Sequence, residues 1–204
     1  NDVLLDRLEQ LLEAEALPQP SHSPHLFPDH GYASEPVSLI CALSLTGERR
    51  LLPHLRHLAG RLVLDPDDSD YRFAYVHAIA YAIERIADPA AVPVAADLLN
   101  RPALRDRSVT HDMDIRLCAD VVAERYAYLA LSLARALARC GDRRGWEQLV
   151  GVLPDRRSFL ARSALLELRE LSGVDYGYTT DRWLEWIRGG SGWSRPRPLV
   201  KRFD

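Results

Sequence analysis

One recurring pattern limits what this chain can fold into. An apolar segment of helical period is followed by a short turn marked by Gly or Asp, then by a second segment of the same period. Residues 37–62 read VSLICALSLTGERRLLPHLRHLAGRL, with the turn at Thr46-Gly47-Glu48. Residues 75–100 (YVHAIAYAIERIADPAAVPVAADLLN) repeat the plan and turn at Asp88-Pro89. Residues 128–153 (YLALSLARALARCGDRRGWEQLVGVL) repeat it again and turn at Gly141-Asp142. Residues 159–187 form a fourth version with a longer turn over 172–180.

The turn residues suit this plan chemically. Gly47, Gly141 and Gly173 follow the first segment, where the residue after a helix often takes positive φ. Asp88 and Asp142 stand where a side-chain oxygen can cap the next helix, and Pro89 suits its first turn. Pro53 and Pro93 both fall five residues into the second segment, where proline bends a helix or delays its regular start.

The first segments are apolar nearly all round and rich in alanine: Ala74, Ala78, Ala80 and Ala82, then Ala130, Ala134, Ala136 and Ala138. A helix of that kind needs neighbours on both sides, and stacked units supply them. Alternation is short and β-branched residues are sparse, so no strand is expected. The expected fold is all-α, an α-solenoid of about four antiparallel helix pairs near 36–62, 71–100, 113–153 and 156–187. An extra helix over 3–16 precedes them, with Leu4, Leu8, Leu11 and Leu12 on one face and Pro18 and Pro20 beyond its end. Residues 1–188 read as one repeat domain and 189–204 as a Gly/Pro-rich tail containing Trp193. No Gly or Pro interrupts 113–140, so one long helix is expected there, capped by Asp112 or Asp114.

The Ala87-Asp88 and Gly141-Asp142 steps, with the closing run ELRELSGVDYGYTTDRWLEWI over 167–187, resemble HEAT-like repeats of the PBS-lyase type. The closing run carries Leu171, Gly173, Asp175, Gly177, Trp183 and Trp186, and looks like the terminal repeat of many bacterial HEAT-like arrays. Residues 124–153 also look like the helical C-terminal region of some bacterial FAD-dependent oxidoreductases. That resemblance implies a helical accessory portion without the flavin-binding part. No G-x-G-x-x-G opens a helix after a strand here, and no cofactor is expected. Other HEAT-like proteins are chromophore lyases or alkylpurine DNA glycosylases. A glycosylase of that kind needs Trp, Tyr and an Asp facing a cationic concave groove, and Trp146 with Asp142 is the one pair near a suitable stack.

Charge and cysteine usage narrow the field. A net charge of −3 does not suit a general nucleic-acid binder. Lys201 is the sole lysine among the 26 basic residues. Cys41, Cys118 and Cys140 lie far apart and outside any C-x-x-C pair, which fits a reducing, cytoplasmic setting. No apolar run is long enough to span a bilayer, and no signal-peptide pattern opens the chain. A start at Asn1 rather than Met suggests a lost leader or tag, or a segment of a longer protein.

Candidate sites each have an ordinary reading beside a functional one. His22, His25, Asp29 and His30 are metal-ligating residue types in a loop over 18–34, and His111, Asp112 and Asp114 could complete a set. Their spacing matches no standard metal motif, and a surface loop accounts for them equally. Arg49, Arg50, Arg143 and Arg144 occupy equivalent places after two turns. Stacking would align them as a partner-binding stripe, unless acids balance them. Trp183 and Trp186, with Asp175, suit a cap over the last helix of an array. His77 and Glu84 lie seven apart on similar faces, and either burial or a repeat edge accounts for them. No nucleophile elbow or ordered triad is present. The expected function is a non-catalytic helical-repeat scaffold or protein-interaction module, with a protein or an attached domain as partner.

Overall fold

In the computed structural model, residues 1–18, 34–64, 72–114, 116, 118, 120–190 and 192–200 are described. Among them every regular element is helical and no strand occurs. The α-helices are α1 (Asp2–Glu13), α2 (Glu35–Leu45), α3 (Leu51–Arg61), α4 (Arg72–Ile86), α5 (Val92–Leu99), α6 (Val121–Arg139), α7 (Arg143–Val152), α8 (Ser158–Ser172) and α9 (Thr180–Gly189).

The turns form as their residues dictate. After α2, Glu48 N–H donates to Leu43 O at 3.3 Å and Gly47 N–H to Ser44 O at 3.0 Å. After α6, Asp142 N–H donates to Leu137 O and Gly141 N–H to Ala138 O, each at 3.0 Å. Both are the same C-terminal motif around a left-handed glycine, with Gly47 at φ +68° and Gly141 at +79°. After α4 the corresponding residue is Ala87, held at φ +47° without the freedom of glycine. Asp88 then accepts from Ala90 N–H at 2.9 Å, and Asp142 accepts from Arg144 N–H at 2.9 Å. Pro53 and Pro93 both sit in the first turns of their helices, so they delay the start without bending the interior.

Two expectations from the sequence need correction. The first helix ends at Glu13 rather than 16, and its buried residues are Leu5, Leu8 and Leu12. Leu4 is exposed, because the face that meets α2 and α3 is narrower than a stripe reaching from Leu4 to Leu12. The long helix over 113–140 is also shorter than expected. α6 starts at Val121, and its cap is Asp120, which accepts from Val122 and Ala123 N–H at 2.9 and 3.0 Å. Neither Asp112 nor Asp114 caps it. Asp114 instead closes a local turn by accepting from Arg116 N–H at 2.9 Å.

Packing is serial. α2 packs on α4, α4 on α6 and α6 on α8, while α1 rests on α2 and α3. α3 meets α5, α5 meets α6, and α7 meets α8 and α9. α6 stands between two hydrophobic clusters. Tyr126, Leu129, Leu133, Ala136, Leu137 and Cys140 face the one built with α1–α5. Ala127, Leu131, Ala134 and Ala138 face the one built with α7–α9. That double burial explains why the 126–138 stretch carries a single charged residue, Arg135.

α6 and α7 approach so closely that a Cβ on Gly145 would lie 2.2 Å from Ala138 N and 2.5 Å from Ala134 O. Here glycine is required by space rather than by backbone angle.

Candidate functional site

The feature that composition least anticipates is a ladder of largely buried charges across α4, α6 and α8. Glu84 on α4 meets Arg135 on α6 at 3.1 Å, and Arg135 reaches Glu167 on α8 at 3.3 Å. Arg139, one turn further along α6, meets Glu167 at 2.6 Å and Glu170 at 2.9 Å. The aligned hydrogen bond of the central pair is Arg139 Nη2 donating to Glu167 Oε2 at 3.1 Å. Arg139, Glu84 and Glu167 are buried, and Glu170 opens to solvent. Burial pushes the Glu84 carboxyl up to about 7, against the opposing pull of Arg135. His77, two turns back on α4, is engaged separately, with its ring stacked on those of Phe73 and Tyr128.

The C-terminal segment closes over this ladder. Its 3-10 turn, Gly192–Ser194, rests against α7 and α8. Trp193 Nε1 donates to Ile187 O at 3.1 Å. The chain then runs extended past the Gly141 turn, where a Cβ would meet Ser194 O at 2.3 Å. Arg197 N–H donates to Arg139 O at 2.7 Å, and Leu199 N–H donates to Glu84 O at 2.8 Å. Arg139 Nη1 returns a bond to Arg197 O at 3.3 Å. Residues 192–200, read from sequence as a plain tail, are therefore bonded to the ends of two helices. The prolines made the segment legible as non-helical. Its seat depends on carbonyls that only the assembled helices present.

Arg49, Arg50, Arg143 and Arg144 are charge-compensated in the fold. Arg50 pairs with Glu48 at 2.8 Å and Asp2 at 2.7 Å, and Arg49 approaches Asp88 at 3.5 Å. Arg144 pairs with Asp142 at 2.9 Å, and Arg143 with Glu147 at 2.8 Å. All four side chains remain substantially exposed. Arg157, by contrast, is buried with Asp155 at 2.7 Å. Together they anchor the irregular 101–114 segment. Asp155 accepts from Val109 N–H at 3.1 Å, Arg157 donates to Arg107 O, and Arg156 N–H donates to Val109 O at 2.8 Å. Beside that segment a cleft of about 510 Å³ opens over α6 and α7, floored by Ala127, Ala130, Ala134 and Gly151.

Trp183, Tyr176 and Trp186 pack together at the C-terminal end of the helices, while Tyr178 is exposed. Trp183 is fully buried, donates to Gly177 O at 2.9 Å and takes Tyr176 edge-on at 5.0 Å. Trp186 lies 5.0 Å from Trp146. Asp175 accepts from Gly177 N–H at 2.9 Å and pairs with Arg169 at 2.6 Å. Trp146 is buried and Asp142 caps α7.

His22, His25, Asp29 and His30 lie outside the described residues. Among the described residues no group of three or more His, Cys, Asp and Glu side chains is placed to hold a metal ion. Asp112 accepts from the Thr110 hydroxyl, and Asp114 pairs with Arg116. Cys41, Cys118 and Cys140 are free thiols, and burial, with Asp88, Asp142 and Glu84 nearby, pushes Cys140 up to about 12. Among the described residues no helix is long and apolar enough to cross a membrane. No family model, curated protein or solved structure matches this chain.

Proposed function

We propose that this chain is a non-catalytic scaffold, a HEAT-like array of about four helix pairs that works as a protein-interaction module. The serial packing of α2, α4, α6 and α8, with α6 buried from both sides, carries the reading. Each unit needs its neighbour to cover an apolar helix, which is the physical logic of a stacked array. Trp183, Trp186 and Asp175 cover its last face. A reducing, cytoplasmic location suits three separated free thiols. The partner is a protein or an attached domain; Arg49, Arg50, Arg143 and Arg144, each paired with an acid but still substantially exposed, are the surface to test for it.

Capture with the full chain tests this. Wild type retains a partner, and Arg49→Glu with Arg50→Glu loses it while circular dichroism stays unchanged. Equal capture by both moves the partner surface elsewhere. Anisotropy with duplex DNA at two salt concentrations gives no salt-sensitive binding on this reading. Strong salt-sensitive binding overturns it in favour of a nucleic-acid enzyme.

A further inference from the structure

Helices end with carbonyls that lack intrahelical partners. In α4 and α6 one such carbonyl each, Glu84 O and Arg139 O, is satisfied by Leu199 and Arg197 N–H. These donors are two residues apart, so they project to the same side of an extended strand. Two extended residues span about 6.5–7 Å, within reach of two helix ends whose axes lie about 8–10 Å apart. Pro196 and Pro198 have no N–H to offer, and both are exposed, while Arg197 and Leu199 are half-buried. The alternation of donor and proline therefore matches the alternation of seat and solvent. Charge agrees as well. The negative ends of two helix dipoles face a segment that carries Arg195 and Arg197. Gly141 leaves room for the strand's backbone, because any side chain there would strike Ser194 O.

We infer that the ends of α4 and α6 form a docking seat for an extended, basic peptide with proline at alternate positions, and that residues 195–199 are its resident occupant. Arg139 is the seat's clamp, because its carbonyl and its guanidinium both hold the backbone of Arg197. An incoming peptide of the same chemistry takes the seat by displacing the strap. The strap lowers the apparent affinity for that peptide by keeping the open seat a minor state. Tethering sets its effective concentration near the millimolar range.

The inference rests on the interaction-module reading and names one partner class for it. The probe is a fluorescein-labelled synthetic peptide with the sequence of residues 192–200. In the full-length chain, Arg197→Pro with Leu199→Pro removes both donors and releases the strap. The released variant is expected to bind the probe at least ~10-fold more tightly than wild type. A control peptide with proline at both donor positions is expected not to bind. Equal affinity of the variant for both peptides, or no binding by a variant whose helical dichroism is intact, overturns the seat.

A second measurement stands if the variant fails to fold. In wild type, hydrogen exchange at Arg197 and Leu199 amides is expected to be slow, and excess unlabelled peptide is expected to accelerate it. Free-chain exchange rates without peptide, or no acceleration with it, overturn the proposal. Capture of a partner through the arginine edge, with no peptide binding, leaves the module reading standing and removes only the seat.

Discussion

Arg139 and Glu167 approach to 2.6 Å with 1% and 4% of their side chains exposed, bridging α6 and α8 beneath the C-terminal strap. Removing Glu167 leaves the buried Arg139 with only the exposed Glu170 and takes a partner from Arg135. Glu167→Ala is expected to cost about 3–5 kcal/mol, read as a fall in the urea midpoint. Replacing both, Arg139→Met with Glu167→Leu, is expected to cost less than Glu167→Ala alone, because no orphaned charge remains. A double variant as unstable as the single one assigns the loss to packing rather than to the charge.

Glu84 gives the chain a pH dependence opposite in sign to that of its exposed carboxylates. Its folded value, about 7, lies above the ordinary 4.5, so the folded chain holds this proton more tightly. The resulting stability is fully present below about 4.5 and is lost as pH rises through about 7. Asp2, Glu35, Asp142 and Asp175 are held below their ordinary values, chiefly by hydrogen bonds, and their stabilisation is lost as pH falls. Denaturation of wild type and Glu84→Gln across this range isolates the first effect. Their difference in stability is expected to change with pH between these two values and to be flat well below them.

Two glycines of α7 separate steric need from helix propensity. Gly145→Ala pushes a methyl into the α6 backbone and is expected to destabilise by about 1–3 kcal/mol or more. Gly151 has open space around its Cβ position. Gly151→Ala is therefore expected to stabilise by roughly 0.5–1 kcal/mol. Thermal melts of the two variants should move in opposite directions.

Ala87 occupies the left-handed position that Gly47 and Gly141 fill after the equivalent helices. Ala87→Gly relieves that strain but adds freedom to the unfolded chain. The expected net gain is up to about 1 kcal/mol, seen as a raised melting temperature. Gly141→Ala is expected to do the reverse and, in addition, to speed exchange at the Arg197 amide, since it also crowds the strap.

The repeated turns were legible because their chemistry is local. Gly47, Gly141 and Gly173 mark left-handed ends, and Asp88 and Asp142 mark caps, whatever packs around them. The break at Asp120 was harder to see. Nothing in composition separates a capping Asp from the neighbouring Asp112 and Asp114, and the choice depends on where the preceding chain is tied down. Val109, held by Asp155 and Arg156 from a distant part of the chain, is such a tie.

By itself, the sequence determined the helical class, the punctuation between helices and the crowding of small residues on α4 and α6. These follow from periodicity and backbone preference, which act over a few residues. Only the tertiary structure decided that Arg49 meets Asp88 and Arg50 meets Asp2, that Glu84, Arg139 and Glu167 are buried together, and that residues 192–200 strap the helix ends. Those outcomes depend on groups 28 to 115 positions apart being brought within hydrogen-bonding distance, as Arg139 is to Glu167 and Leu199 is to Glu84. No local pattern records such an encounter, because the energy of a buried charge or an unpaired carbonyl is set by whatever the rest of the fold places beside it.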